Sequence, residues 1–250
     1  MDELQKKSVQ LYRLKSNESN KTTIAGRFEN HTGTEEHIWN DLKTKISPPN
    51  SAKVLDIGCG AGELALILAK ESRSLDWKTT FLDIPEIISK LKSQLDAEGF
   101  QFEPAVFPYC EDFLNNNKRN FDLIIAYSVI HYTSEPQSFI DAAFDLLADN
   151  GQLIIGDLPN VNKKGRFLSS SLGREVEAKY RNTTIDKLPA YKDQFDFIKQ
   201  EKCMNSKICD DLVMNNISKY RELGHEAHIL YQSPALPFSY TREDLVITKR

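Results

Sequence analysis

No stretch of about 18 consecutive apolar residues occurs in the chain, so no transmembrane helix is expected. The first residues, Met1-Asp2-Glu3-Leu4-Gln5-Lys6-Lys7, lack the apolar centre of a signal peptide, so a cytoplasmic protein is expected. Cysteine is scarce. Cys59, Cys110, Cys203 and Cys209 show no zinc-binding spacing, so no metal site is expected and the thiols are read as reduced. Positive charge is not in excess. A net charge of −4 gives no general pull toward nucleic acid or an anionic membrane. Repeats and low-complexity tracts are also missing. The 250 residues, 40% of them apolar, suffice for one domain with a sizeable core, or one domain with an insertion.

The most informative stretch runs from Val54 to Ala65, VLDIGCGAGELA. Lys53 to Ile57 reads as a short buried strand and Glu63 to Glu71 as a helix. Between them Gly58, Gly60 and Gly62 stand at every second position. Glycine tolerates positive φ and has no Cβ, so the backbone can turn tightly and a ligand can come close. The helix that follows offers unpaired N–H groups at its start. The dinucleotide fingerprint is spaced G-x-G-x-x-G/A and has a small last residue. Here that last position is Glu63, and Asp56 stands at the strand end. Those carboxylates would repel a pyrophosphate and attract an ammonium group, so the loop suits a cofactor with a cationic part.

Val54–Leu64 resembles the first motif of the class I S-adenosylmethionine-dependent methyltransferases, hh(D/E)hGxGxG with h apolar. The resemblance implies a Rossmann-like, doubly wound α/β sheet of seven mostly parallel strands with an antiparallel last strand. It implies S-adenosylmethionine as cofactor, with S-adenosylhomocysteine as product. Asp56, Gly58, Cys59, Gly60 and Gly62 would form the first part of that site. Thr79–Asp83 reads as the second strand, and Asp83 lies where the family places an acid on the ribose hydroxyls, followed by Ile84. Residues 85–98 read as a helix that Gly99 stops. Phe102–Phe107 reads as the third strand. After it the family places a polar or acidic group and a backbone N–H on the adenine, which maps onto Glu111, Asp112 and Phe113.

Phe121–Ala126 is an almost continuous apolar run, as expected of a central parallel strand. Tyr127, Ser128, His131 and Tyr132 follow it at the expected switch point, where open α/β sheets bind ligands. His131 is the candidate base or acceptor-binding group, because histidine titrates near neutrality. Tyr127 is the second catalytic candidate, Tyr127 and Ser128 cofactor-wall candidates, and Tyr132 an acceptor-wall candidate. Phe139–Leu147 reads as a helix and Gln152–Asp157 as the fifth strand, with Asp157 facing the acceptor. In the N-terminal part, residues 3–16 and 34–46 read as helices. Between them Gly26–Gly33 reads either as a connecting loop or as a lid, with Arg27 on the methionine carboxylate and His31 toward the acceptor.

Asp210–Leu223 reads as the last helix, and Ala227–Gln232 and Asp244–Lys249 as the closing strands. His225 and His228, three apart, do not suit a shared metal. The division is then a lid segment at 1–50, a core at 51–159, an insertion at 160–207 and a closing part at 208–250. The insertion is expected to hold helices at 169–181 and 190–202. It carries a net charge of +5, leaving −9 for the remainder. A basic cap on an acidic domain suggests an anionic acceptor, with Lys163, Lys164, Arg166, Tyr180, Arg181 and Tyr191 lining its site. A solvated helical surface or a homodimer contact would explain the same charges. The reading is a methyltransferase acting on a small, anionic metabolite or sugar precursor, at oxygen. The alternatives are a macromolecular acceptor (tRNA or protein) and a non-catalytic scaffold; the charge counts against nucleic acid.

Overall fold

The computed structural model describes residues 3–16, 33–96, 98–200 and 207–250. Its strands are β1 (Lys53–Ile57), β2 (Lys78–Asp83), β3 (Gln101–Pro104), β4 (Phe121–Tyr127), β5 (Leu147–Leu158), β6 (Glu226–Tyr231) and β7 (Glu243–Thr248). They form one sheet in the order β3-β2-β1-β4-β5-β7-β6. The first five pair in parallel, and β7 runs antiparallel to both β5 and β6. This is the α/β sheet with a reversed last strand that the sequence implied. The strand order reverses direction at β1 and β4, which creates the switch point at their carboxyl ends.

Alternation along each strand sends side chains to two cores. On β1, Leu55 and Ile57 join Phe139 and Ile140 of α6 (Pro136–Asp145) and Tyr220 of α10 (Asp210–Glu222). Val54 joins the opposite layer, with Trp39 of α2 (Thr34–Lys43), Leu68 of α3 (Glu63–Ser74) and Ile87 of α4 (Pro85–Gln94). Both faces are covered, which is why these strands read as continuous apolar runs. Each fully buried Leu, Ile or Phe contributes about 1.5–3 kcal/mol of gross stabilisation. Packing of these stripes, more than intrinsic propensity, therefore holds such short helices.

Several boundaries differ from expectation. The helix expected over 85–98 ends at Gln94, where Leu95 becomes extended; Gly99, at φ +86°, serves the turn into β3. The third strand is Gln101–Pro104, and Glu111–Asn116 forms α5. The insertion holds α7 (Val161–Leu168), α8 (Ser171–Tyr180) and α9 (Gln194–Gln200) among the described residues. Asn160 starts α7 by accepting the N–H groups of Asn162 and Lys163 at 2.9 and 3.2 Å. Gly165 lets α7 and α9 approach: a Cβ there would stand 2.9 Å from the Cα of Gln194.

One buried polar network crosses this packing. Asp244 on β7 is fully buried and accepts from Lys45 Nζ at 2.6 Å, Gln232 Nε2 at 3.0 Å and the Asp157 N–H at 2.9 Å. Lys45 also reaches Asp41 at 2.5 Å, and Asp41 accepts the Ser233 N–H at 3.1 Å. Burial pushes the Asp244 carboxyl up, against the pull of Lys45. Three segments distant in sequence are thereby joined by two carboxylates and one ammonium. Lys45→Met leaves both carboxylates without their cation and should cost about 3–5 kcal/mol, read as a lowered urea midpoint. Arg119→Ala, which removes an exposed pair with Asp149, should leave the midpoint unchanged.

Candidate functional site

The chain leaves β1 through a glycine turn of defined geometry. Gly58 and Gly60 take φ of +68° and +65°, the left-handed region that side chains disfavour. A Cβ on Gly58 would also stand 2.5 Å from Val129 Cγ2. The N–H groups of Gly58 and Cys59 donate to the Leu82 carbonyl at 2.8 and 3.3 Å. The Gly60 N–H donates to Asp83 Oδ2 at 2.8 Å, and the Ile84 N–H to Asp83 Oδ1 at 2.7 Å. Gly62 precedes α3 and supplies no side-chain cap. The first N–H groups of that helix therefore lack intrahelical partners at the loop.

These residues border a cavity of about 920 Å³, measured with its open mouth. Gly58, Cys59, Gly60, Gly62, Asp83 and Ile84 line one side, and Tyr127, Ser128, Val129 and Tyr132 another. Ala105, Val106 and Phe107, just past β3, add a mostly apolar wall. A further wall is α1 (Glu3–Lys15), through Gln5, Ser8, Val9 and Tyr12. Gln5 Nε2 donates to the Phe107 carbonyl at 2.9 Å, the hydroxyls of Tyr12 and Tyr132 are 2.7 Å apart, and Arg13 pairs with Glu86 at 2.8 Å. Positions 5, 8, 9 and 12 follow the i, i+3, i+4, i+7 pattern of one helix face. That spacing was readable, but the mixed polarity of the face hid its role.

Burial dominates the electrostatics. It raises the Asp83 carboxyl to about 6, against the two N–H bonds that favour its ionised form. Asp56 rises to about 8, chiefly through burial and next through the neighbouring charge of Asp83. The Cys59 thiol is pushed well up by burial and then by both acids, so it stays protonated.

The structure corrects some placements. Asp56 points into the layer shared with α2 and α3 and is not on the cavity wall. Glu111 and Asp112 are exposed on α5, and Phe113 stacks on Phe121 at 6.2 Å in the core. After β3 it is Ala105–Phe107 that line the cavity, because the chain turns into α5 only after passing it. Arg27 and His31 lie outside the described residues. Several cations of the basic insertion are already engaged. Lys163 donates to the Arg242 carbonyl and lies 3.7 Å from Glu243; Lys164 lies over the Phe197 ring; Arg166 binds Asp210 and Gln194. Arg181 pairs with Glu177, Tyr180 packs on Phe238 and Tyr191 on Phe197. The net charge therefore overstated the free cations. Among the described residues no group of three His, Cys, Asp or Glu is placed to hold a metal, and no helix is long and apolar enough to cross a membrane.

His131 sits in a single 3₁₀ turn, Ile130–Tyr132, at the carboxyl end of β4. Tyr132 is on the cavity wall; His131 is beside it, with ring centroids 4.1 Å apart. Burial, and next the charge of Arg242, lower the imidazole to about 4, against the opposite pull of Asp157. Its Nδ1 is buried without a hydrogen-bond partner. Asp157, at φ +58°, lies 3.8 Å from Arg242 Nε. Arg242 was not singled out from the sequence, since a lone arginine before a strand carries no signal.

Residues 55–153 match a family model described as a methyltransferase domain. Over 119 residues the chain is 29% identical to the ubiquinone biosynthesis O-methyltransferase of Xylella fastidiosa (strain 9a5c), covering 47% of this chain and 46% of that protein. Over 120 residues it is 32% identical to the ribosomal RNA small subunit methyltransferase C of Cronobacter sakazakii, covering 46% and 33%. The chain thus spans about half the length, or less, of these curated relatives. Among solved structures it resembles the plantazolicin methyltransferase BamL, in complex with a triazolic desmethylPZN analog and SAH, at TM-score 0.55 and 17% identity, covering 98% of each chain. It also resembles the methyltransferase domain of bacterial-CtHen1-CN at TM-score 0.52 and 16% identity, covering 87% of this chain and 98% of that one. At these identities the structural likeness speaks for the fold.

The cavity residues fit S-adenosylmethionine. The left-handed glycines leave room where a Cβ would intrude, the uncapped start of α3 suits a carboxylate, and each Asp83 oxygen keeps acceptor capacity for a hydroxyl. A ribose diol needs Asp83 ionised, whereas the ligand-free fold holds its proton more tightly than the unfolded chain, whose Asp titrates near 4. Protonation of Asp83 thus stabilises the free fold as pH falls from about 6 to about 4, while ligand binding follows the opposite course. Affinity for S-adenosylhomocysteine, measured by calorimetry, should fall by up to about tenfold per pH unit below about pH 6. Asp83→Asn should weaken binding at neutral pH and remove this dependence.

Proposed function

We propose, from the class I S-adenosylmethionine-dependent methyltransferase domain that residues 55–153 form, that the chain methylates an oxygen of a small, anionic molecule, with His131 as general base. The observation that carries this reading is the His131 imidazole, neutral at physiological pH and with an unpartnered Nδ1 beside the cavity wall. A buried polar atom without a partner costs about 1–3 kcal/mol, a cost that an acceptor hydroxyl donating to Nδ1 would remove.

When bound, S-adenosylmethionine supplies a methyl group on a sulfonium, already a good leaving group. The chain's own contribution is then largely positioning. Gly58, Gly60 and Asp83 hold the loop, and the wall from Ala105 to Phe107 offers an apolar surface to a purine. Tyr132, tied to Tyr12, closes the cavity against water on the α1 side. Nδ1 of His131 takes the hydroxyl proton.

A macromolecular acceptor is the second reading, favoured by the 32% identity to a ribosomal RNA methyltransferase. The engagement of Lys163, Arg166, Arg174 and Arg181 weighs against it, since backbone phosphates are held by free Lys and Arg. Transfer of label from methyl-labelled S-adenosylmethionine into metabolite, RNA and protein fractions of a cell extract separates the two. Label in the metabolite fraction is the expected outcome. His131→Gln should lower turnover about 10²–10⁴-fold and leave S-adenosylhomocysteine affinity unchanged. Unchanged turnover would remove His131 as base.

A further inference from the structure

We infer that Arg242 is the anchor for the acceptor's anionic group, holding a carboxylate or phosphoryl oxygen beside His131. The inference rests on the methyl-transfer reading above and replaces the basic insertion with one residue as the source of charge selectivity.

Geometry favours Arg242 over the arginines of the insertion. Its guanidinium has five N–H donors. One donates to the Asp157 carbonyl at 3.3 Å, and the Asp157 carboxylate, 3.8 Å from Nε, is too far for a hydrogen bond. The other donors make no hydrogen bond within the described residues. Arg166, by contrast, is committed to Asp210 and Gln194, and Arg174 to the carbonyls of Pro189 and Ile185. The Arg242 side chain is 23% exposed, so its donors are reachable yet partly desolvated. Such a fork suits an oxyanion in bidentate geometry.

Its position is fixed, and backbone contacts connect it to the cavity wall. Lys163 donates to the Arg242 carbonyl, and the next residue, Glu243, accepts from Asn160 at 2.7 Å. Asp157 is held through its N–H by Asp244. The residue before it, Gly156, accepts the N–H of Ser128 at 3.0 Å, and Ser128 is on the cavity wall. Phe238, 39% exposed, lies with its ring centroid 5.9 Å from the guanidinium carbon and offers an apolar surface for the rest of an acceptor. An anion seated on Arg242 would also offset the positive charge that His131 feels, and so strengthen His131 as a base when acceptor is present.

The test uses the full chain saturated with S-adenosylhomocysteine and three probes: benzoate, phenyl phosphate and neutral benzamide. Calorimetry should show one or both anions binding and benzamide failing to bind; which anion binds tells carboxylate from phosphoryl recognition. Arg242→Gln should weaken anion binding roughly 10–100-fold, and Arg242→Lys should restore part of it. S-adenosylhomocysteine affinity and the thermal midpoint of both variants should stay at wild-type values. The imidazole titration of His131, followed by NMR, should move upward when the anion binds to wild type. Benzamide binding as well as the anions, or Arg242→Gln binding them undiminished, overturns the inference whether or not the chain is an active methyltransferase. If the anions bind through Arg242 but no fraction of a cell extract accepts label, the anion site stands and the methyl-transfer reading falls.

Discussion

The grip of the Asp83 carboxylate on the Gly60 N–H sets the shape of the cavity, and the same device recurs at the other side of the sheet. Gly60 has a left-handed backbone just beyond β1, and Asp83 at the end of β2 fixes it at 2.8 Å. Asp157 also has a left-handed backbone, near the end of β5, and Asp244 of β7 fixes its N–H at 2.9 Å. A non-glycine residue in that conformation costs about 1–2 kcal/mol. A bond from a backbone N–H to a carboxylate is among the stronger hydrogen bonds available to offset it. Two acids, each on the strand next to the one whose turn it holds, thus fix a turn on either side of the sheet.

The two acids differ in how their charge is met. Asp244 has Lys45 at 2.6 Å, whereas Asp83 has backbone donors and, among the described residues, no cation at hydrogen-bond distance. Asp83 is consequently raised to about 6 and sits close to Asp56, raised to about 8. The donor side is a region of costly negative charge, which a cationic ligand relieves. On the proposed acceptor side Arg242 faces the Asp157 carboxylate at 3.8 Å, without a hydrogen bond to it, and keeps donors free for an anion. The polarity of the expected partners, a cation on one side and an anion on the other, follows from that contrast.

Legibility in the sequence followed the range of the interactions. The glycine spacing and the strand ending at Asp83 were readable because a turn and a strand end are local patterns, whereas the arrangement of the sheet came from the family resemblance those patterns carried. The contribution of α1 was not. Its cavity face mixes Gln5 and Ser8 with Val9 and Tyr12, while the apolar Leu11 and Leu14 are 45% and 67% exposed. Asp244 was hidden for a similar reason. Every residue of β7 is buried between β5 and β6, so a strand containing Glu243 and Asp244 reads as half-exposed until Lys45, 199 positions away, is seen against it. The acids after β3 were assigned to the wrong surface because the chain passes the cavity at Ala105–Phe107 and only then presents Glu111 and Asp112 to solvent.

Charge counting misled for a related reason, and the difference decides how an acceptor is chosen. A net +5 over residues 160–207 is a statement about composition, whereas recognition needs donors that are free, partly desolvated and fixed in place. Lys163 and Arg166 fail the first condition, because their donors hold α7 against β7 and α10. Lys163 nevertheless contributes through the backbone, since the carbonyl it binds is that of Arg242. The insertion then acts as a brace. It fixes the backbone of a residue that precedes β7, and that residue carries the free donors. An insertion can thus set specificity without touching the acceptor, by determining where a neighbouring strand places one guanidinium.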